Sequence, residues 1–124
     1  MGAKRCDVFI VEDDFDIREV LTEVLQDEGF TVSGAANGKD ALLALGNGVP
    51  KPKLILLDLM MPVMSGWQFV AEPRKEPALA DIPVVVVSAD GNLQQKAESL
   101  GASGCLRKPI EIDMLLSLVK RYCR

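Results

Sequence analysis

Short apolar runs recur along the 124-residue chain and are separated by segments with helical periodicity. Residues 8–11, 54–57 and 84–87 contain no polar side chain. Such runs are typical of strands that are buried on both faces of a parallel sheet. Residues 30–34 predict a weaker second strand at an edge of the sheet, and residues 105–107 predict a fifth strand.

The segment after the first run has one apolar face. The residues on that face recur at positions i, i+3, i+4, i+7 and i+8: Ile17, Val20, Leu21, Val24 and Leu25. This spacing predicts an amphipathic helix that buries the face, and Gly29 is expected to end it. Asp16 immediately precedes the first apolar position and is expected to cap the helix, which leaves Asp14 solvated.

Four further helices are predicted between and after the other runs. One follows the turn at Asn37 and Gly38, and one begins near Trp67 and meets Pro73, which is expected to end or kink it. A short helix covers residues 91–100. The closing helix covers residues 111–122, and its predicted buried face carries Met114, Leu115, Leu118, Val119 and Tyr122.

Five strands and five helices in strict alternation predict a single α/β domain over residues 1–124. A net charge of −4 gives no basic surface for nucleic acid, and no apolar run approaches the roughly 20 residues of a membrane span. The three cysteines, with no signal-peptide segment, indicate reduced thiols in the cytoplasm. The absence of histidine excludes histidine-based catalytic triads.

Acidic residues follow two of the apolar runs. Glu12 and Asp13 come after the run at residues 8–11, and Asp58 comes after the run at residues 54–57. In a flavodoxin-like sheet of order 2-1-3-4-5 these two strands are neighbours, which would bring the acids together. Close carboxylates repel one another unless a cation joins them, and oxygen ligands of this kind suit Mg²⁺. Helix capping explains Asp58 poorly, because Leu-Met-Met-Pro follows it.

Ser88 follows the apolar run at residues 84–87, and Lys108 follows the predicted fifth strand at residues 105–107. Taken singly, a serine there is usually a turn or cap residue and a lysine is usually solvated. Pro109 biases Lys108 towards extended geometry, so that its ammonium can pair with Asp58. A carboxylate nucleophile can accept a phosphoryl group to form an acyl phosphate, while a metal and a lysine neutralise its charge. The ordered set of strand ends therefore predicts a metal-assisted phosphoryl site.

From Val8 to about Tyr122, the sequence resembles the receiver domain of bacterial two-component response regulators. The matching motifs are Val-Glu-Asp-Asp at residues 11–14, Leu-Asp-Leu-Met-Met-Pro at residues 57–62 with Gly66, Val-Ser-Ala at residues 87–89, and Lys-Pro at residues 108–109. The resemblance implies a flavodoxin-like (βα)5 three-layer sandwich with a parallel sheet of order 2-1-3-4-5.

The resemblance also implies the roles of the site residues. A histidine kinase or phosphotransfer protein would phosphorylate Asp58 to 4-aspartylphosphate, and Ser88 and Lys108 would contact the phosphoryl group. The downstream partner, a separate protein or a fused output domain, is unspecified. The domain would catalyse only its own phosphoryl transfer and hydrolysis. The implied Mg²⁺ ligands are Glu12, Asp13, Asp58 and the backbone carbonyl of Met60.

The sequence departs from the family pattern at three positions. Cys105 stands where receivers usually carry an aromatic residue, Ser65 stands where an aspartate often precedes the glycine, and Pro73 interrupts a helix. The missing aromatic residue keeps open a phosphorylation-independent interaction module. A phosphatase of the haloacid dehalogenase type is a weaker alternative, because such enzymes resemble one another in a second acid two residues after the nucleophile. Met60 occupies that position here.

Overall fold

A computed structural model of the chain describes residues 6–46, 51–59, 81–89 and 91–123. The predicted helix from Trp67, with Pro73, lies outside these residues, as do Met60 and Ser65. The described elements, in chain order, are β1 (Cys6–Val11), α1 (Phe15–Asp27), β2 (Val32–Ala35), α2 (Gly38–Gly46), β3 (Pro52–Asp58), β4 (Val84–Ser88), α3 (Leu93–Leu100), β5 (Gly104–Arg107) and α4 (Ile112–Cys123).

The five strands form one parallel sheet in the order β2-β1-β3-β4-β5, which confirms the predicted flavodoxin-like topology. Val11 of β1 pairs with Leu57 of β3. On the other side of β3, Asp58 pairs with Val87 of β4. Ser88 in turn pairs with Arg107 of β5. This register aligns the carboxyl ends of the four strands along one edge of the sheet.

Alternate residues of each central strand enter two hydrophobic clusters, one on each face of the sheet. Phe9, Ile55 and Leu57 pack with residues of α2 and α3. Ile10 and Leu56 pack on the opposite face with residues of α1 and α4. Because both faces are covered, the strands are apolar without alternation, and each fully buried Leu or Ile contributes about 1.5–3 kcal/mol.

The ends of α1 follow from two local interactions. Asp14 Oδ1 accepts a hydrogen bond from the Ile17 N–H at 3.1 Å, so Asp14 is the N-cap residue. The prediction that Asp16 caps the helix was wrong, because the helix already begins at Phe15 and Asp16 lies in its first turn. Gly29 has a φ of +92° and follows the last turn, as predicted. Glycine adopts this left-handed conformation without a steric penalty.

The buried faces of two helices are narrower than the sequence predicted. On α1, Leu21 and Leu25 are buried, whereas Val20 is 52% exposed. On α4 the buried residues are Leu115, Val119 and Cys123, whereas Met114 is 57% exposed. The predicted burial of Leu21, Leu25, Leu115 and Val119 is confirmed. The prediction was wrong for Val20 and Met114, because the stripe facing the sheet follows positions four residues apart and these two residues lie at its margin. Among the described helices, none is long and apolar enough to cross a membrane.

Candidate functional site

The ends of β1 and β3 bring three carboxylates together. One oxygen of each of Glu12, Asp13 and Asp58 lies within 4.8 Å of the others. Glu12 and Asp58 are buried, whereas Asp13 is exposed. The prediction that Asp13 and Asp58 are close in space is confirmed. The pairing of β1 with β3 explains it, because residues 45 positions apart in sequence follow neighbouring strands.

Lys108 extends over these carboxylates from the end of β5. Its Nζ lies 3.0 Å from Glu12 Oε1 and 3.5 Å from Asp58 Oδ2. The Lys108 backbone N–H donates to the Ser88 carbonyl oxygen at 3.0 Å, which fixes the residue against the end of β4. The predicted pair with Asp58 is present, and the shorter contact to Glu12 was not predicted.

Ser88 is buried at the end of β4 and lines the same space as the charged residues. This space, the acidic cleft, is an open cavity of about 440 Å³. The structure thus brings together five of the predicted site residues. The sixth predicted contributor, the carbonyl of Met60, lies outside the described residues. The residues lining the cleft are Glu12, Asp13, Asp14, Ile17, Asp58, Ser88, Ala89 and Lys108.

The electrostatics of the acidic cleft reflect crowded negative charge. Burial disfavours the ionised form of Glu12, and its hydrogen bond with Asp58 adds to this effect, so its pKa rises to about 7. For Lys108, burial alone lowers the pKa, but the hydrogen bond to Glu12 and the charges of both acids outweigh it and raise the pKa. Among the described residues lining the cleft, Lys108 is the only cationic one, so a further cation would relieve the repulsion.

The backbone that carries these acids is fixed by three hydrogen bonds. We refer to Glu12, Asp13 and Asp14 as the acidic turn. The Glu12 N–H donates to the Ala35 carbonyl oxygen at 3.1 Å, and the Asp14 N–H donates to Glu12 Oε2 at 3.2 Å. Arg18 Nη1 donates to the Glu12 carbonyl oxygen at 2.6 Å. Sequence reasoning missed Arg18, whose signal is a single basic residue among the acids of the first turns of α1.

Cys105 lies on β5 and is half-buried. It packs against the hydrophobic cluster on the face of α2 and α3. Within the described part of the chain, neither Cys105 nor Cys123 takes part in a disulfide. The side chain of Cys6 lies outside the described set. At the position where receivers usually carry an aromatic residue, this chain therefore places a small side chain in contact with the core.

Comparison with known proteins supplies the family. Residues 8–120 match the response regulator receiver domain. The chain belongs to that family. This receiver domain is 35% identical over 119 residues to the transcriptional regulatory protein CpxR homolog of Haemophilus influenzae, covering 94% of this chain and 50% of that protein. It is equally identical to the phosphate regulon transcriptional regulatory protein PhoB of Escherichia coli, covering 94% and 51%.

Solved structures agree with the family assignment. The chemotaxis response regulator CheY4 of Vibrio cholerae is 30% identical, with a TM-score of 0.85, and the match covers 96% of this receiver domain and 99% of that chain. By contrast, the receiver domain spans about half the length of the two curated transcriptional regulators. Receiver domains form a signalling family.

Proposed function

We propose that this receiver domain accepts a phosphoryl group on Asp58, assisted by Mg²⁺, and thereby changes its affinity for a downstream partner. One observation carries the proposal. Three carboxylate oxygens lie within 4.8 Å of one another, and the Lys108 ammonium lies 3.5 Å from Asp58, all in one open cleft. A phosphoryl group needs such a combination of nucleophile, cation site and fixed positive charge.

The donor set fits Mg²⁺. This ion prefers carboxylate oxygens, is bound through one or two of them and keeps several waters. Glu12, Asp13 and Asp58 would hold it, and the exposure of Asp13 leaves room for water. The Met60 carbonyl remains a predicted further ligand. When bound, the ion supplies positive charge next to the phosphoryl oxygens.

The chain's own residues supply the rest of the chemistry. A carboxylate oxygen of Asp58 forms the new bond to phosphorus as the bond between phosphorus and the donor's leaving atom breaks. The Lys108 ammonium, already 3.5 Å from Asp58, would contact a phosphoryl oxygen and offset its charge. The buried Ser88 hydroxyl would donate a hydrogen bond to another. No further catalysis is proposed beyond transfer to Asp58 and hydrolysis of the product.

The proposed partners follow from this role. The phosphoryl donor would be a histidine kinase or a phosphotransfer protein, and the recipient of the signal would be a separate protein or a fused output domain. Phosphorylation would shift the population between two surfaces of the domain. We also propose that residues 1–124 form a single domain acting in the cytoplasm, where the thiols of Cys105 and Cys123 would stay reduced.

A second candidate function is a phosphorylation-independent interaction module. The half-buried Cys105 favours it, because this small side chain stands where receivers usually carry the aromatic residue that moves on activation. In this reading the acidic cleft is kept for structure alone, and the domain binds its partner equally well with and without phosphate donor.

Intact-mass measurement separates the two candidates. With acetyl phosphate and Mg²⁺, the wild-type domain is expected to gain one phosphoryl group, and Asp58→Asn is expected to gain none. Asp27→Asn, an exposed acid at the end of α1, is the matched control and should label like the wild type. An unlabelled wild-type domain, or an adduct that persists in Asp58→Asn, would contradict the proposal.

A further inference from the structure

Arg18 is placed on α1, yet its side chain acts on the end of β1. Its Nη1 donates to the Glu12 carbonyl oxygen at 2.6 Å, a short contact for a nitrogen donor. Glu12 is also the residue whose carboxylate contacts Lys108 and forms part of the acidic cleft. One side chain from the helix therefore fixes the backbone from which a cleft carboxylate projects.

The guanidinium is held in place by contacts other than this hydrogen bond. Arg18 Cζ lies 5.6 Å from the centroid of the Phe15 ring, within the range of a cation–π interaction. The aliphatic stem of Arg18 passes close to Gly34 of β2. A Cβ atom added to Gly34 would lie 3.3 Å from Arg18 Cδ and 3.0 Å from the Ile10 carbonyl oxygen. The glycine thus leaves the space that the arginine stem occupies.

We propose that Arg18 is a positioning residue for the metal site: it fixes the acidic turn so that Glu12 and Asp13 present their carboxylates to Mg²⁺. The inference rests on the proposed function of the acidic cleft. It assigns Arg18 no contact with the ion or the phosphoryl group. Residues that orient metal ligands without binding the metal typically change metal affinity about 10- to 100-fold when removed.

Arg18→Met is the informative variant, because it keeps an unbranched apolar stem and removes the guanidinium. Positioning predicts that the Mg²⁺ dissociation constant, measured by calorimetry, rises about 10-fold. A purely electrostatic role predicts the opposite sign, since loss of a positive charge near three carboxylates would tighten Mg²⁺ binding. A purely structural role predicts a lower melting temperature with an unchanged dissociation constant.

Two companion variants complete the experiment. Arg18→Lys keeps the stem and the charge and offers a donor, so it should recover most of the affinity. Arg121→Met removes the same charge from the last turn of α4 and should bind Mg²⁺ like the wild type. That turn lies at the opposite end of the strands from the acidic cleft, where Cys123 contacts the Asp7 carbonyl oxygen at the start of β1. If Arg18→Met does not fold, Arg18→Gln, which is too short to reach the carbonyl, replaces it.

The acetyl phosphate reaction on the same samples separates this inference from the proposed function. In Arg18→Met, phosphorylation should be slow at low Mg²⁺ and should recover when Mg²⁺ is saturating, because the nucleophile is intact. A wild-type domain that is labelled, together with an Arg18→Met dissociation constant within twofold of wild type or lower, would overturn the role of Arg18 alone. A wild-type domain that neither binds Mg²⁺ nor labels would overturn both.

Discussion

At the scale of single residues, Glu12 carries the clearest consequence of the crowded acidic cleft. Its side chain is 3% exposed and lies between Lys108 and Asp58. Burial and the hydrogen bond with Asp58 raise its pKa from an ordinary value of 4.5 to about 7. The folded domain therefore holds a proton on Glu12 at pH values where the unfolded chain has already released it.

This difference sets the sign of a pH effect on stability. Between about pH 4.5 and 7 the folded state binds more protons than the unfolded state, so the free energy of unfolding falls as pH rises through this range. The contribution is on the order of 1–3 kcal/mol. We expect urea denaturation in EDTA to show this decrease for the wild type and a smaller decrease for Glu12→Gln.

Glu23→Gln is the control for this effect, because Glu23 is exposed on α1 and lies outside the acidic cleft. It should retain the wild-type pH dependence. A decrease in stability between pH 5 and 7.5 that is the same in Glu12→Gln as in the wild type would show that Glu12 does not carry the effect.

At the scale of elements, α1 connects the acidic turn to the core. Its first residues supply the cap and the Arg18 contact, and its later turns bury Leu21 and Leu25. The cap assignment has a direct test, since Asp14→Ala removes the acceptor of the Ile17 N–H and should lower the free energy of unfolding by about 1 kcal/mol. Urea denaturation at neutral pH measures the change.

Asp16→Ala is the matched variant for the cap. Asp16 lies in the first turn, where its charge interacts with the helix dipole and is worth about 0.3–1 kcal/mol at most. We expect the Asp14 substitution to be the more destabilising of the two. If Asp16→Ala costs more than Asp14→Ala, the helix begins later than the structure shows.

At the scale of the whole molecule, the set of residues that meet at the carboxyl ends of the strands could be predicted from the sequence. Parallel pairing and strand order dictate which residues lie together at that edge of the sheet. Asp13, Asp58, Ser88 and Lys108 follow from that rule. The contact between Arg18 and the Glu12 carbonyl could not be predicted, because it depends on the rotation of α1 about its axis and on a long side chain with several rotamers. The preference of Lys108 for Glu12 over Asp58 could not be predicted either, because it depends on the rotamers of a long side chain.

The same reasoning explains why helix faces were less well predicted than strands. A strand buried on both faces needs only an apolar run, whereas the face of a helix depends on its rotation, which local spacing defines to within about one residue. Val20 and Met114 fit the spacing, yet both lie at the margin and are exposed. Asp16 likewise fitted a cap position two residues after Asp14, the true one.

Metal binding should affect the stability of the whole domain. A ligand that binds only the folded state at 100 times its dissociation constant adds about 2.7 kcal/mol to the free energy of unfolding. We therefore expect saturating Mg²⁺ to raise the melting temperature of the wild type and EDTA to reverse the rise. Asp13→Asn should lose most of this response, whereas Asp113→Asn, an exposed acid in the first turn of α4, should keep it. An equal response in Asp13→Asn would place the ion elsewhere.

The most direct measurement is to identify the phosphorylated residue itself. The domain is treated with acetyl phosphate and Mg²⁺, and borohydride then reduces the acyl phosphate to an alcohol, which converts an aspartyl phosphate into homoserine. Tandem mass spectrometry of the peptides gives its position. We predict homoserine at position 58 and at no other acid of the cleft. Homoserine at position 13, or none at all in a folded and Mg²⁺-bound domain, would contradict the assignment of Asp58 as the phosphoacceptor.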